Sequence, residues 1–242
     1  LKANPTASIV LPFYNEEGSV QQVMRDLLET CRKAEDWQIE LVCVQNGSRD
    51  RTGEILHELA STNTCISVVE VRMNHGYGFG IRQGMQAASG EIVGYLDGDG
   101  QIAPQDVLRV LDRMRVDRAA KAVRTERKDG ARRGFVSFCY NRLFRLLLGV
   151  PVQDANAKPK FLRKEDLAKL SLVSNDWFID AEIMIKTSAL GIGWTEIPVE
   201  FHRRAHGASN VRLRSIVEFL RNMARWRFGG QLEAWKQTTS QS

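Results

Sequence analysis

Two hydrophobic periods alternate along the first hundred residues. Ser8-Ile9-Val10-Leu11 is a short apolar run stopped by Pro12, and the polar residues after it lead into Val20, Val23, Met24, Leu27 and Leu28, spaced for one helix face. Ile39 to Val44 repeats the apolar run, Gln45-Asn46-Gly47-Ser48 follows as a turn, and residues 50–59 read as a second helix. A third strand precedes the glycine run at 76–84. A fourth begins at Ile92 and ends abruptly in Asp97-Gly98-Asp99-Gly100-Gln101. Further on, Ile179–Leu190 and Val211–Phe228 carry helical spacing. Strands that alternate with helices predict an α/β unit.

The end of the fourth strand bears the most chemistry. While the chain is extended, side chains 97, 99 and 101 share one face. Carboxylate and amide oxygens are hard ligands suited to Mg²⁺ or Mn²⁺, ions that keep several waters and take further oxygens from phosphates. Gly98 and Gly100 let the backbone approach a ligand closely. By itself the stretch also reads as a tight Asp-Gly turn in a hairpin.

Composition narrows the class. The 242 residues, 43% apolar, suffice for one compact domain with a sizeable core. Cys31, Cys43, Cys65 and Cys139 lack metal or redox spacing and are expected free and reduced, which points to the cytoplasm. No apolar run reaches the roughly 18 to 20 residues that span a bilayer, and no signal peptide is read, so a soluble chain is expected. The polar end, Gln237 to Ser242, is expected to be disordered. The four histidines and four cysteines are scattered and make no zinc site. Gly76, Gly78, Gly80 and Gly84 miss the dinucleotide spacing because Gln83 stands where the third glycine belongs.

Several motifs occur in a fixed order. Leu-Pro-Phe-Tyr-Asn-Glu-Glu stands at 11–17, Asn-Gly-Ser-Arg-Asp-Arg-Thr-Gly at 46–53 and Asn-His-Gly-Tyr-Gly-Phe-Gly-Ile-Arg-Gln-Gly at 74–84. Asp-Gly-Asp-Gly-Gln at 97–101, Phe-Ile-Asp-Ala-Glu at 178–182, Glu-Ile-Pro-Val at 196–199 and Arg-Ala-His-Gly-Ala-Ser at 204–209 complete the set. From about Ser8 to about Phe228 the chain resembles family two glycosyltransferases of the A-type fold (GT-A), nearest the dolichyl-phosphate mannose synthase branch and its polyprenyl-phosphate sugar transferase relatives. The resemblance implies a single domain with a mostly parallel central sheet flanked by helices and a basic amphipathic helix at its C-terminal end. Residues 8–101 would be the nucleotide-sugar-binding half and 102–228 the acceptor half, between an extension at 1–7 and a tail at 229–242.

The same resemblance implies the site. Pro12, Tyr14, Glu16, Gln45, Asn46, Asp97, Gly98 and Asp99 are expected to bind a nucleotide-diphosphate sugar, and Asp97, Asp99 and Gln101 to hold Mg²⁺ or Mn²⁺. Where the family usually has Asp-Asp-Gly-Ser, this chain has Gln45-Asn46-Gly47-Ser48, and an amide both donates and accepts where a carboxylate only accepts. Donor recognition is therefore expected to differ.

A donor diphosphate and an acceptor phosphate a few ångströms apart repel by about 4 kcal/mol at an effective dielectric near 20. Arginine's planar fork suits phosphate oxygens, so Arg124, Arg133 and Arg204, with Ser209, are the expected acceptor clamps. Asn210 stands where relatives often carry a lysine. A polyprenyl phosphate is already a nucleophile and needs no base. A hydroxyl acceptor would need a carboxylate to take its proton, and Asp154, Asp180 or Glu182 would serve beside Asp99.

The helix at 211–228 is basic and amphipathic, and residues 203–227 hold seven arginines against Glu218 alone. Such a helix packs on its own domain or lies on an anionic membrane, where Trp226 and Phe228 would suit the interface. Nucleic acid is not an expected partner. Three readings remain open: metal-dependent, inverting sugar transfer to a polyprenyl phosphate at the inner membrane face, transfer to a soluble hydroxyl acceptor, and a non-catalytic nucleotide-sugar-binding relative.

Overall fold

The computed structural model describes residues 6–127, 131–203 and 213–239. In chain order the elements are β1 (Thr6–Phe13), α1 (Val20–Arg32), β2 (Gln38–Asn46), α2 (Thr52–Thr62), β3 (Ile66–Val71), α3 (Tyr77–Ala87), β4 (Ile92–Tyr95), α4 (Pro104–Arg113), β5 (Ala119–Arg127), α5 (Ala131–Leu148), β6 (Lys160–Arg163), α6 (Lys164–Leu170), α7 (Ile179–Ala189), β7 (Thr195–Phe201), α8 (Leu213–Phe228) and α9 (Gln231–Thr239). The strands form one sheet in the order β3-β2-β1-β4-β6-β5-β7. Strand β6 runs antiparallel to both of its neighbours, and every other pairing is parallel. The mostly parallel α/β domain expected from the sequence is therefore present.

Alternation along the strands builds two apolar layers. Ile9, Leu11 and Phe13 of β1 with Leu41 and Cys43 of β2 face α1, α2 and α4. Val10, Val42 and Val44 face the other side, against α3, α5, α7 and α8. Both faces are covered, as a parallel sheet requires. Helix α1 buries Val20, Met24, Leu27 and Leu28, the stripe its spacing predicts.

Topology fixes where a ligand can sit. From β1 the chain winds outward through β2 to β3, then returns to β4 on the other side of β1, so the crevice outside the carboxyl ends of β1 and β4 lies at a switch point. Because β6 is antiparallel, its first residue enters at that same edge, with Lys160 opposite Tyr95.

The glycine run is a packing device. A strap at 171–178, between α6 and α7, crosses the start of α3 so closely that a Cβ at Gly78 would stand 2.6 Å from the Ser174 and Asp176 carbonyl oxygens. Gly80 admits the Asn46 side chain, and Gly84 lies on Val10 and Val44.

One C-terminal expectation needs correction. The segment 229–242, read as a tail ending in disorder, forms α9 as far as Thr239, because Trp235 is buried and Leu232 packs on the core. Of the two settings expected for the helix at 211–228, packing on its own domain is the one Trp226 takes: it is 7% exposed and faces Phe178.

Elsewhere in a helix interior, glycine to alanine gains about 1 kcal/mol. At Gly78 the strap carbonyls reverse the sign, and Gly78→Ala is expected to destabilise the fold by about 1–3 kcal/mol through overpacking. The denaturant midpoint of that variant checks this, and an unchanged or raised midpoint contradicts the packing described.

Candidate active site

Three loops meet at the carboxyl edge. The first two, after β1 and β2, are zipped together by backbone-to-side-chain bonds. Asn15 N donates to Ser48 Oγ at 3.1 Å, Glu16 N to Thr52 Oγ1 at 2.8 Å and Arg51 N to a Glu17 carboxylate oxygen at 3.0 Å. Pro12 and Tyr14 are half-buried at the base of this crevice. The Glu16 carboxylate accepts from the Ser19 hydroxyl at 2.9 Å.

Gln45 and Asn46 brace the second loop. Gln45 Oε1 accepts from Gly47 N at 2.6 Å and Ser48 N at 2.9 Å, closing the turn from within. Asn46 is 3% exposed, its Nδ2 donates to the Gly76 carbonyl at 3.2 Å, and its Oδ1 is buried without a protein partner. The amide pair thus joins the β2 loop to the start of α3 before any ligand is present.

The third loop follows β4. Gly98 lies against the Phe13 ring so tightly that a Cβ would stand 2.6 Å from Cδ1, which fixes the backbone between Asp97 and Asp99. Asp99 Oδ1 accepts from Gln101 N at 3.1 Å. Gln101 Nε2 donates to the His202 carbonyl at 2.8 Å, and His202 N returns a bond to the Gln101 carbonyl at 2.9 Å. With its nitrogen committed, the Gln101 side chain keeps an oxygen as its remaining polar atom. Asp99 and Gln101 therefore offer two hard oxygens, two residues apart, that fit Mg²⁺ or Mn²⁺. Among the described residues no group of three or more His, Cys, Asp or Glu side chains is placed to hold a metal. Such an ion would take its remaining oxygens from water and phosphate.

Beneath this loop lies a row of buried charges. Asp97 Oδ1 accepts from the Tyr77 hydroxyl at 2.6 Å, and Oδ2 is 3.3 Å from Lys158 Nζ. Lys158 also pairs with Asp180 Oδ2 at 3.0 Å, while Asp180 Oδ1 takes Lys160 Nζ and the Tyr95 hydroxyl. Burial alone would raise the Asp180 carboxyl, but the two lysines hold it below the ordinary carboxylate value. Burial opposes charge on both lysines. The Asp180 and Asp97 carboxylates outweigh it at Lys158, raised to about 12, whereas at Lys160 burial, helped by the charges of Lys158 and Lys121, outweighs Asp180 and the value falls to about 8.

The row extends toward β7. Arg124 grips Asp154 through two bonds of 2.7 and 2.8 Å. Burial works against the Asp154 carboxylate, yet the guanidinium holds it well below the usual range. Fully buried Lys121 donates to Glu196 Oε1 at 3.0 Å. An aromatic wall closes the near side, with Trp177 of the strap stacked on Tyr77 at 4.2 Å between centroids.

The expected residues divide into groups. Pro12, Tyr14, Glu16, Asp97, Gly98, Asp99 and Gln101 come together at the crevice. Gln45 and Asn46 reach its floor by bracing the loop. Arg124 holds Asp154 rather than standing ready with an open fork. Glu182 is fully buried on Lys186 at 2.6 Å and on the Val173 and Ser174 amides. The Arg133 side chain, Arg204 and Ser209 lie outside the described residues. Sequence reasoning missed Tyr77, Lys158, Lys160 and Trp177. The one available signal was Lys158-Pro159-Lys160, a proline between two lysines before a short apolar run.

Fold and crevice together are those of an α/β protein with a ligand-binding switch point outside the carboxyl ends of β1 and β4. The family model described as Glycosyl transferase family 2 matches residues 8–170, and the chain belongs to that family. The undecaprenyl-phosphate 4-deoxy-4-formamido-L-arabinose transferase of Pseudomonas paraeruginosa is 32% identical over 222 residues, 88% of this chain and 62% of that protein. The transferase of the same name from Edwardsiella ictaluri is 29% identical over 219 residues, 88% and 65% respectively. The chain thus spans less than two thirds of the length of these curated relatives. Among solved structures, glucosyl-3-phosphoglycerate synthase from Mycobacterium tuberculosis, in complex with Mn²⁺, uridine diphosphate and glucosyl-3-phosphoglycerate, superposes with a TM-score of 0.70 at 21% identity, over 94% of this chain and 81% of that one. This likeness establishes the A-type fold.

The Arg124–Asp154 pair makes stability depend on acid. Because the folded-state pKa of Asp154 is depressed, its stabilisation is complete above the unfolded carboxylate value near 4 and is lost as pH falls through the folded value. Asp154→Asn is expected to cost about 3 kcal/mol at pH 7, by removing the charge that Arg124 grips, and to flatten the loss of stability below about pH 4. Urea midpoints at pH 7 and pH 3 measure both effects, and parallel acid slopes in the two proteins would contradict the pairing.

Proposed function

We propose that this protein is a metal-dependent, inverting glycosyltransferase that moves a sugar from a nucleotide-diphosphate sugar to a polyprenyl phosphate. One observation carries the choice of acceptor. Asp154 and Asp180, the carboxylates expected to serve as a base, are both buried against cations and held below the ordinary range. A carboxylate so stabilised is a poor proton acceptor. An acceptor that arrives as an anion needs no base, since a phosphate monoester's second ionisation falls near pH 6.

In this reading the phosphate oxygen forms its bond to the anomeric carbon from the face opposite the diphosphate, whose oxygen departs with the bonding pair. The crevice residues Pro12, Tyr14, Glu16, Gln45 and Asn46 shape the nucleoside end. Asp97, Gly98 and Asp99 sit along the sugar and diphosphate. Mg²⁺ or Mn²⁺ bound by Asp99 and Gln101 would supply positive charge to the leaving diphosphate. Arg133, Arg204 and Ser209 remain the candidates for the acceptor phosphate, with Arg124 orienting Asp154 beside them. The relatives named for undecaprenyl-phosphate support this acceptor class, and the solved relative with Mn²⁺ and uridine diphosphate supports the donor class.

A peripheral place on the inner face of a membrane fits the surface. Helices α5 and α8 expose Phe138, Leu146, Leu220 and Phe228 among Arg142, Arg145, Arg221, Arg225 and Arg227, a combination suited to anionic lipid. Among the described residues no helix is long and apolar enough to cross a membrane. The four cysteines are free, in keeping with a reducing cytoplasm.

Thermal-shift titration with uridine, guanosine, thymidine and cytidine diphosphates, with and without Mn²⁺, followed by transfer assays with short-chain polyprenyl phosphate and with hydroxylated acceptors, tests this reading. Asp99→Ala is expected to fold normally, to lose metal-dependent nucleotide binding and to lower transfer by at least about 100-fold, the scale for removing a key electrostatic contact. Transfer to a hydroxylated acceptor alone would establish the soluble-acceptor reading instead. Nucleotide binding without any transfer would mark a non-catalytic relative.

A further inference from the structure

Trp177 is a large aromatic side chain with no place in the core. Tyr77, Phe79 and Trp194 are half-buried as it is, yet they pack against the apolar layer beside α3 and α7, whereas Trp177 belongs to neither layer. Its indole N–H donates to nothing among the described residues, while Trp37 and Trp194 give theirs to Asp112 and Thr187.

What holds Trp177 is the strap. Arg82 of α3 donates to the Val173 carbonyl at 3.2 Å and to Asn175 Oδ1 at 2.7 Å, and Phe79 N donates to the Asn175 carbonyl at 3.1 Å. From the other side Asn222 of α8 donates to Asp176 Oδ2 at 2.8 Å, and Trp226 faces Phe178. Both chain neighbours of Trp177 are thus fixed, and its ring lies on Tyr77 within 11° of parallel. A side chain held this way is pre-organised for contact with a ligand.

The position of the ring selects the ligand group. Tyr77, which covers one indole face, donates to Asp97, and the Lys158 ammonium stands 6.0 Å from the indole centroid. In the sugar-transfer reading Asp97 runs along the sugar and diphosphate, while the nucleoside end is held by the loops after β1 and β2. A diphosphate is disfavoured against an apolar ring, because burying its charge there costs free energy. A pyranose ring instead offers a face of C–H bonds and an edge of hydroxyl oxygens, which an indole face and its N–H can serve together.

We propose that Trp177 is a sugar-binding residue of the donor site, its indole packing on the C–H face of the pyranose ring to be transferred. This role rests on the sugar-transfer reading above. Because the nucleoside diphosphate left after transfer has no sugar, the contact favours fresh donor over spent nucleotide.

The full chain with Mn²⁺ is titrated calorimetrically with uridine, guanosine, thymidine and cytidine diphosphates and with their glucose conjugates, and tryptophan emission is followed in parallel. Wild type is expected to bind one conjugate with a change in emission that the matching diphosphate does not cause. Trp177→Ala should weaken that conjugate about tenfold and leave the diphosphate within about twofold of wild type. Trp177→Phe, which keeps a flat ring, should limit the loss to about threefold and abolish the emission change.

Wild type that binds none of these ligands would overturn the donor class of the sugar-transfer reading and this role with it. Equal losses for conjugate and diphosphate in Trp177→Ala would put the ring on the nucleoside and overturn this role alone. A folded Trp177→Ala with unchanged affinity for both would do the same, as would an effect confined to the KM of a short-chain polyprenyl phosphate. Should Trp177→Ala fail to fold, Trp177→Leu, which keeps apolar bulk without a flat ring, carries the same comparison.

Discussion

The site depends on one buried aspartate between two lysines. Asp180, at the start of α7, ties Lys158 and Lys160 of the β6 entrance to Tyr95 at the end of β4. Unpaired, any of these charges would be expensive to bury, and removal of one partner from such a cluster typically costs about 3–5 kcal/mol. Paired, they act as a rigid footing. Asp97 rests on Lys158, Gly98 on Phe13 and Gln101 on the backbone of His202, so the loop after β4 is held at three successive points. The antiparallel sense of β6 makes this geometry possible, because it delivers the beginning of a strand to the edge where the parallel strands end.

The same electrostatics bear on the chemistry. Asp154, Asp180 and Glu182, each of which could have served as a base, are bound to cations, and in the proposed reading the acids left at the crevice serve the metal and the donor. A site of this kind suits a nucleophile that is already charged. It also explains why the arginine fork at 124 is turned inward: Asp154 engages it, so in the proposed reading an acceptor phosphate is met by other cations.

Much of this was legible in the sequence, and the reasons are local. The place of Asp97, Asp99 and Gln101 at the carboxyl edge could be read because they close an apolar strand. The α/β architecture could be read because β1, α1 and β2 carry clean periodicities. Lys158 and Lys160 could not, since β6 is only four residues long and no local pattern tells that it reverses direction. Arg124 was read as a phosphate clamp for want of its partner, which lies 30 residues further on. Gln45 and Asn46 were read as donor contacts, but turn-bracing and ligand-binding use the same amide atoms, and only the fold shows the bonds to Gly47, Ser48 and Gly76. Helix α9 was hidden by its polar composition, because one buried tryptophan against α8 and Lys186 is a tertiary fact. The glycine run, a misleading dinucleotide cue, proved to be the bed for a strap.

A crystal structure of the wild-type chain with Mn²⁺ and its preferred nucleoside diphosphate tests the central claim most directly. The account predicts the ion on Asp99 and the Gln101 amide oxygen, with Lys158 still between Asp97 and Asp180. An ion coordinated by Asp97, with Lys158 displaced from both carboxylates, would contradict it.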